Sequence, residues 1–296
     1  MASVFAFYAE HSPITDPGRH RPLFDAVPGD VAAIVAALQG LLMHPAAAKL
    51  YGEPSEKDDG WGYLTMAETL ERILALDPAP LTVARPPGRR LRGNCRNFAV
   101  LSVAMLRHHG VPSRRRVGWA NYLPGPRLYF HEIAEYWNAA QRRWVLVDPQ
   151  NDAVTIAAQK SFFASVGQPE RGEYDTLDVV RDEQFVLGGT AWRRCRAGQA
   201  HLDAFRQGEG HVWRELQIQL LQDLDGLNKA ELLSNDSGLL PGQGAGNPTD
   251  EVLPLLDRVA DLLADPDGRL DELRELYATT PCGRWAGEKL AALAPA

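Results

Sequence analysis

The chain has 296 residues, with 31 basic and 38 acidic side chains and a formal net charge of −7. At 45% hydrophobic and 23% charged it is of ordinary globular composition, which excludes a disordered or fibrous chain and supplies a core for one large or two small domains. The acidic balance argues against a nucleic-acid partner, and no apolar run of about 18 residues is present to enter a membrane.

The opening MASVFAFYAEHSP lacks the basic region of a secretion signal, so the expectation is a cytoplasmic protein. In that compartment Cys95, Cys195 and Cys282 are expected as free thiols.

In chain order, Asp30 is placed to cap a helix whose apolar positions are Val31, Ile34, Val35, Leu38, Leu41 and Leu42, ended by Pro45. Residues 52–62 read as a polar loop carrying Trp61, and the spacing of Leu70, Ile73 and Leu74 predicts a helix over 65–76. A connector rich in Pro, Gly and Arg, 84–94, leads to a strong helix from Cys95 to about His109, stopped by Gly110 and Pro112. Strand-like runs follow at 116–121, 131–138 and 143–148, the last two joined by a turn short enough for a hairpin. Residues 162–192 give mixed signals and no element is assigned there. Helical patterns return at 211–227, 249–263 and 270–277. The expected organisation is an N-terminal helical extension over 1–90, a core over 91–152 and a mostly helical extension over 153–296, forming one continuous globular unit.

The segment 93–119 carries the first chemical signal. A cysteine in the first turn of an amphipathic helix has backbone N–H groups and the positive end of the dipole beside its sulfur, an environment that favours a nucleophilic thiolate. Such a nucleophile needs a proton donor for the leaving group and a group to orient that donor. His131 opens one strand and Asp148 closes its neighbour: His131 lies seven residues before the hairpin turn and Asp148 five after it. In an antiparallel pair the two meet at the open end, to within a short offset.

The order Cys95, His131, Asp148, with GNC opening a helix that ends in Gly110-Val111-Pro112 and WVLVDP carrying the aspartate, resembles the transglutaminase-like superfamily over 93–150. The resemblance implies an α+β fold, a papain-like core with the cysteine helix packed on an antiparallel sheet, here with added N- and C-terminal helices. It also implies a bacterial transglutaminase-like domain protein with Cys95 as nucleophile, His131 as the histidine and Asp148 as the aspartate. Two positions depart from the family pattern: Ile133 stands where an aromatic is frequent, and Asn94 where an acidic residue is frequent.

The implied activity is acyl transfer on an amide, ester or thioester through a thioester acyl-enzyme, by an amidase or an amide-forming acyltransferase. The substrate would be a small molecule or peptide, or a carrier-protein thioester. A second oxyanion donor beside the Cys95 N–H would come from Trp61 or Gln39. Arg85, Arg89, Arg90, Arg92 and Arg96 are either a solvated charge run or a cluster that captures an anionic group, with Arg92 and Arg96 nearest Cys95. No cofactor is implied, and no HExxH or dense ligand spacing calls for a metal. Cys195, between Arg194 and Arg196, would have a modestly lowered pKa if exposed, and Cys282 would sit in a C-terminal loop. The competing reading is a catalytically silent binding or scaffold module, which loss of a triad residue would signal.

Overall fold

The computed structural model describes residues 4–55, 62, 64–207, 210–233 and 246–293. Local signals account for the helices that position the site. Asp30 accepts the Ala33 N–H at 2.9 Å and starts a helix over Val31–Leu41. Thr65 and Glu68 form a reciprocal capping box at the start of Met66–Leu76. The cysteine helix runs Cys95–His108 and is ended by Gly110, whose φ of +72° belongs to the left-handed region that favours glycine. The connector before it contains a short strand, β2 (Leu91–Arg92), that pairs in parallel with β1 (Leu42–Met43).

The remaining strands are β3 (Ser113–Ala120), β4 (Tyr129–Asn138), β5 (Arg143–Val147) and β6 (Phe185–Leu187), in the order β5-β4-β3-β6. β4 and β5 form the expected antiparallel hairpin, with Ala134 opposite Val147 and Asn138 opposite Arg143. β6, unassigned from sequence, pairs antiparallel with the end of β3. The result is an α+β fold of helices around an antiparallel sheet, as the resemblance implied.

Two compact units share these strands: residues 1–115 with 133–179, and residues 116–132 with 180–296. β3 and β4 each begin in one unit and end in the other. In the first unit, Val103 of the cysteine helix, Val35, Ala134 and Val147 form a buried cluster, with Val31, Tyr136 and Leu177 packed against it. This is the cysteine helix against the β4–β5 hairpin. This unit also holds a helix over Ala153–Ser165, capped by Asp152, of which only the last four residues fall in the stretch left unassigned from sequence.

In the second unit, helices over Gly188–Arg196, Val212–Leu227, Leu253–Leu262, Leu270–Thr279 and Pro281–Ala291 follow β6. Gly188 is required by close packing: a Cβ there would stand 2.7 Å from the Gln219 carbonyl oxygen. Asp223 anchors β3 from the neighbouring helix, taking both Arg116 Nε and Nη2 at 2.9 Å and the Val117 N–H at 3.0 Å.

Two expectations about cysteines are corrected here. Cys195 is buried, and burial pushes its thiol up to about 11 rather than down. The flanking arginines are engaged elsewhere: Arg194 donates to the Asp182 carbonyl, and Arg196 grips Asp257 with two nitrogens. Cys282 is in no loop. It is buried in the first turn of the C-terminal helix, and its thiol too is raised to about 11, chiefly by burial. Among the described residues, no helix is long and apolar enough to cross a membrane.

Candidate active site

Cys95 occupies the first helical position, behind Asn94. Asn94 Oδ1 accepts the Asn97 N–H at 3.3 Å, and Asn97 Oδ1 accepts the Asn94 N–H at 3.0 Å. Asn94 replaces the family's frequent acidic residue, and its work here is to cap the helix. The box fixes the entry of the chain, so Cys95 is held in the first turn, at the positive end of the helix dipole. The residue is 9% exposed, the most accessible of the three cysteines.

Asp148 follows the last residue of β5 and leaves the ladder, its N–H donating to Thr176 O at 2.8 Å. The side chain is fully buried. Oδ1 accepts the Gln150 N–H at 3.0 Å and Oδ2 accepts Asn151 Nδ2 at 2.8 Å. Asn151 is itself held: its Oδ1 accepts Gln159 Nε2 at 2.9 Å, and Gln159 Oε1 accepts the Tyr174 hydroxyl at 2.8 Å. Burial raises the Tyr174 pKa, and the nearby Asp148 charge raises it further, so this hydroxyl stays a donor. Sequence reasoning missed Asn151, Gln159 and Tyr174. The only signal for any of them was the run of polar residues directly after Asp148-Pro149.

His131 lies in β4 in the second unit, two residues before that strand enters the first. It is 2% exposed, with the rings of Tyr122 and Phe185 edge-on at 6.3 and 6.4 Å between centroids. The β4–β5 ladder runs from Asn138–Arg143 to Ala134–Val147, and His131 lies three residues beyond its last pair along β4.

Cys95, Asp148, Gln39, Arg92 and Arg96 all belong to the first unit. Gln39 Nε2 donates to the Asn151 carbonyl at 3.0 Å, so this amide braces the loop after Asp148. Trp61, the other oxyanion candidate, lies outside the described residues. Arg96 is buried and donates to Leu64 O at 2.9 Å. Arg92 is buried on β2, beside Met43. No group of three or more His, Cys, Asp or Glu suited to a metal occurs among the described residues.

Residues 82–149 match the family model described as the transglutaminase-like superfamily, a segment that begins just before the arginine-rich connector and ends just past Asp148. The chain carries a transglutaminase-like domain. No curated protein and no solved structure matches it. In this transglutaminase-like domain the matched segment spans β2, the cysteine helix, β3, β4 and β5.

Proposed function

We propose that this protein transfers acyl groups by covalent cysteine catalysis, with Cys95 as nucleophile, His131 as general acid and base, and Asp148 as the group that orients the imidazole. The Cys95 thiolate attacks the carbonyl carbon of an amide, ester or thioester. The S–C bond forms, and the resulting oxyanion is stabilised by the Cys95 N–H. On collapse, the bond to the leaving group breaks and that group takes a proton from the His131 imidazolium. Water or an amine then attacks the thioester while giving its proton to His131, and the S–C bond breaks to regenerate the thiolate. Asp148 holds the imidazole tautomer throughout.

The observation that carries this reading is the seating of Cys95 at the first position of a helix closed by the Asn94–Asn97 box. The buried, twice-bonded carboxylate of Asp148 supports it, since a carboxylate fixed by Gln150 and Asn151 can accept from an imidazole only along a defined direction. The acyl substrate is a small molecule or a peptide, or a thioester carried by a partner protein, and it enters in a cytoplasmic setting.

Intact-mass spectrometry after incubation with amide, ester and thioester donors tests the proposal. A mass increase equal to the acyl group is expected on the wild-type chain and not on Cys95→Ala. An increase that persists in Cys95→Ala would refute it. If no donor ever acylates the chain, the silent binding module is the better reading.

A further inference from the structure

Five arginines crowd the segment leading into and past Cys95, and four of them are tied to main-chain oxygens. Arg85 donates to the carbonyls of Asp77, Ala79, Pro80 and Val83. Arg89 donates to Leu76 O at 2.9 Å, Arg90 to Arg85 O at 3.0 Å and Arg96 to Leu64 O at 2.9 Å. These side chains pin the connector.

Arg92 differs. It is 1% exposed, yet among the described residues its Nε, Nη1 and Nη2 have no hydrogen-bond partner. Its ion-pair partner is Glu53, whose Oε2 stands 3.7 Å from Nη2, beyond hydrogen-bond reach. A guanidinium offers five N–H donors in a rigid fork, and leaving that fork buried and unsatisfied is strongly unfavourable. Such a group, three residues before a candidate nucleophile, invites a ligand.

We infer that Arg92 is the receptor for a carboxylate on the acyl substrate. The ligand's two oxygens take the guanidinium fork, and Glu53, whose side chain is 27% exposed, gives way towards solvent. A carboxylate fits better than a phosphate because one buried guanidinium balances one charge, and Glu53 already presents a carboxylate to it. Arg92 precedes Cys95 by three residues, so their Cα atoms are within about 11 Å of each other.

The carboxylate's role as part of an acyl substrate rests on the reading of Cys95 given above. The carboxylate-binding site itself rests on Arg92 alone. Calorimetry of the full chain with glutarate separates the two, because it needs no turnover. Glutarate is expected to bind, glutaramide not to, and inorganic phosphate to bind at least about tenfold more weakly. Arg92→Met should weaken glutarate about tenfold or more, with circular dichroism reporting that the fold is kept. Glu53→Gln removes the internal competitor at a part-exposed position and should tighten glutarate severalfold.

Absence of glutarate binding to Glu53→Gln at about 10 mM would overturn the inference, as would affinity unchanged in both variants. Phosphate binding as tight as glutarate would overturn the carboxylate assignment. Arg92-dependent binding in a chain that no donor acylates would sink the acyl-transfer reading and leave this one standing. Acylation of Cys95 with no carboxylate binding would do the reverse.

Discussion

Asn151 Nδ2 donates to Asp148 Oδ2 at 2.8 Å, while the Asn151 carbonyl takes Gln39 and its Oδ1 takes Gln159. One residue, through its side-chain amide and its main-chain carbonyl, thereby ties the buried carboxylate to two helices of the first unit. Asn151→Leu keeps the size of the side chain but removes both of its hydrogen bonds. The expected cost is about 2–4 kcal/mol of stability, from a carboxylate and a glutamine left under-satisfied in the interior. Urea unfolding checks this, and an unchanged midpoint would mean that water replaces the amide.

Substitution of the proposed triad should separate by role. Cys95→Ala and His131→Ala are expected to lower kcat by about 10⁴-fold or more, and Asp148→Asn by less, about 10²–10⁴-fold. Pairwise combinations should cost little beyond the worse single variant, because the three act as a unit. Steady-state rates with any donor that acylates the chain measure this. Additive losses would contradict a shared step.

Alkylation distinguishes the thiols without a substrate. Burial holds Cys195 and Cys282 at about 11, so at pH about 8 only about 0.1% of either is thiolate. Brief treatment with iodoacetamide followed by peptide mapping should find label at Cys95 first, and His131→Ala should slow that labelling alone. Equal labelling of the three sites would remove the physical argument for a nucleophile.

Asp223 tests the second unit. It is fully buried and takes the Arg116 fork through both oxygens. Asp223→Ala leaves Arg116 buried without that carboxylate, and the expected loss is about 3–5 kcal/mol by denaturant unfolding. Replacing both partners with apolar residues of similar volume should recover much of it.

His11 gives the chain a pH-dependent stability. Its pKa is lowered to about 4, chiefly by burial, with Arg107, Arg21 and His108 pushing the same way and Asp16 opposing. In the unfolded chain the ring titrates near 6.5. Between about pH 6.5 and 4 the unfolded chain therefore binds a proton that the folded chain does not, and stability falls as pH falls through that window. Urea midpoints at pH 7, 5.5 and 4 should fall less steeply for His11→Gln than for wild type. Parallel slopes would show that His11 takes no part.

Helix starts were legible because capping is local: Asp30, Thr65 and Asn94 each satisfy N–H groups within three residues of themselves. The helix over Ala153–Ser165 was not, and its buried positions show why. They are Thr155, Gln159 and Phe163, so the face turned inward is largely polar and leaves no apolar stripe to read. β6 is three residues long and runs straight into Gly188-Gly189, where neither strand nor helix propensity is strong. The last helix hides behind Pro281, which looks like a terminator but stands at the first helical position, capped by Thr280.

The sequence by itself determined the order of the chemical residues, the helix that presents Cys95 and the hairpin that carries His131 and Asp148. Each depends on spacing within a few residues or on a turn too short to permit another pairing. Only the tertiary structure decided which charges are buried and whom they meet. Arg114, Arg115 and Arg116 are three consecutive basic residues in the sequence, yet all three are 2% exposed or less, with Glu135 and Asp223 as acidic partners of Arg114 and Arg116. Asp223 is 107 residues from Arg116 in the chain. A buried ion pair is stable only when both charges arrive together, and no local pattern records a partner that distant.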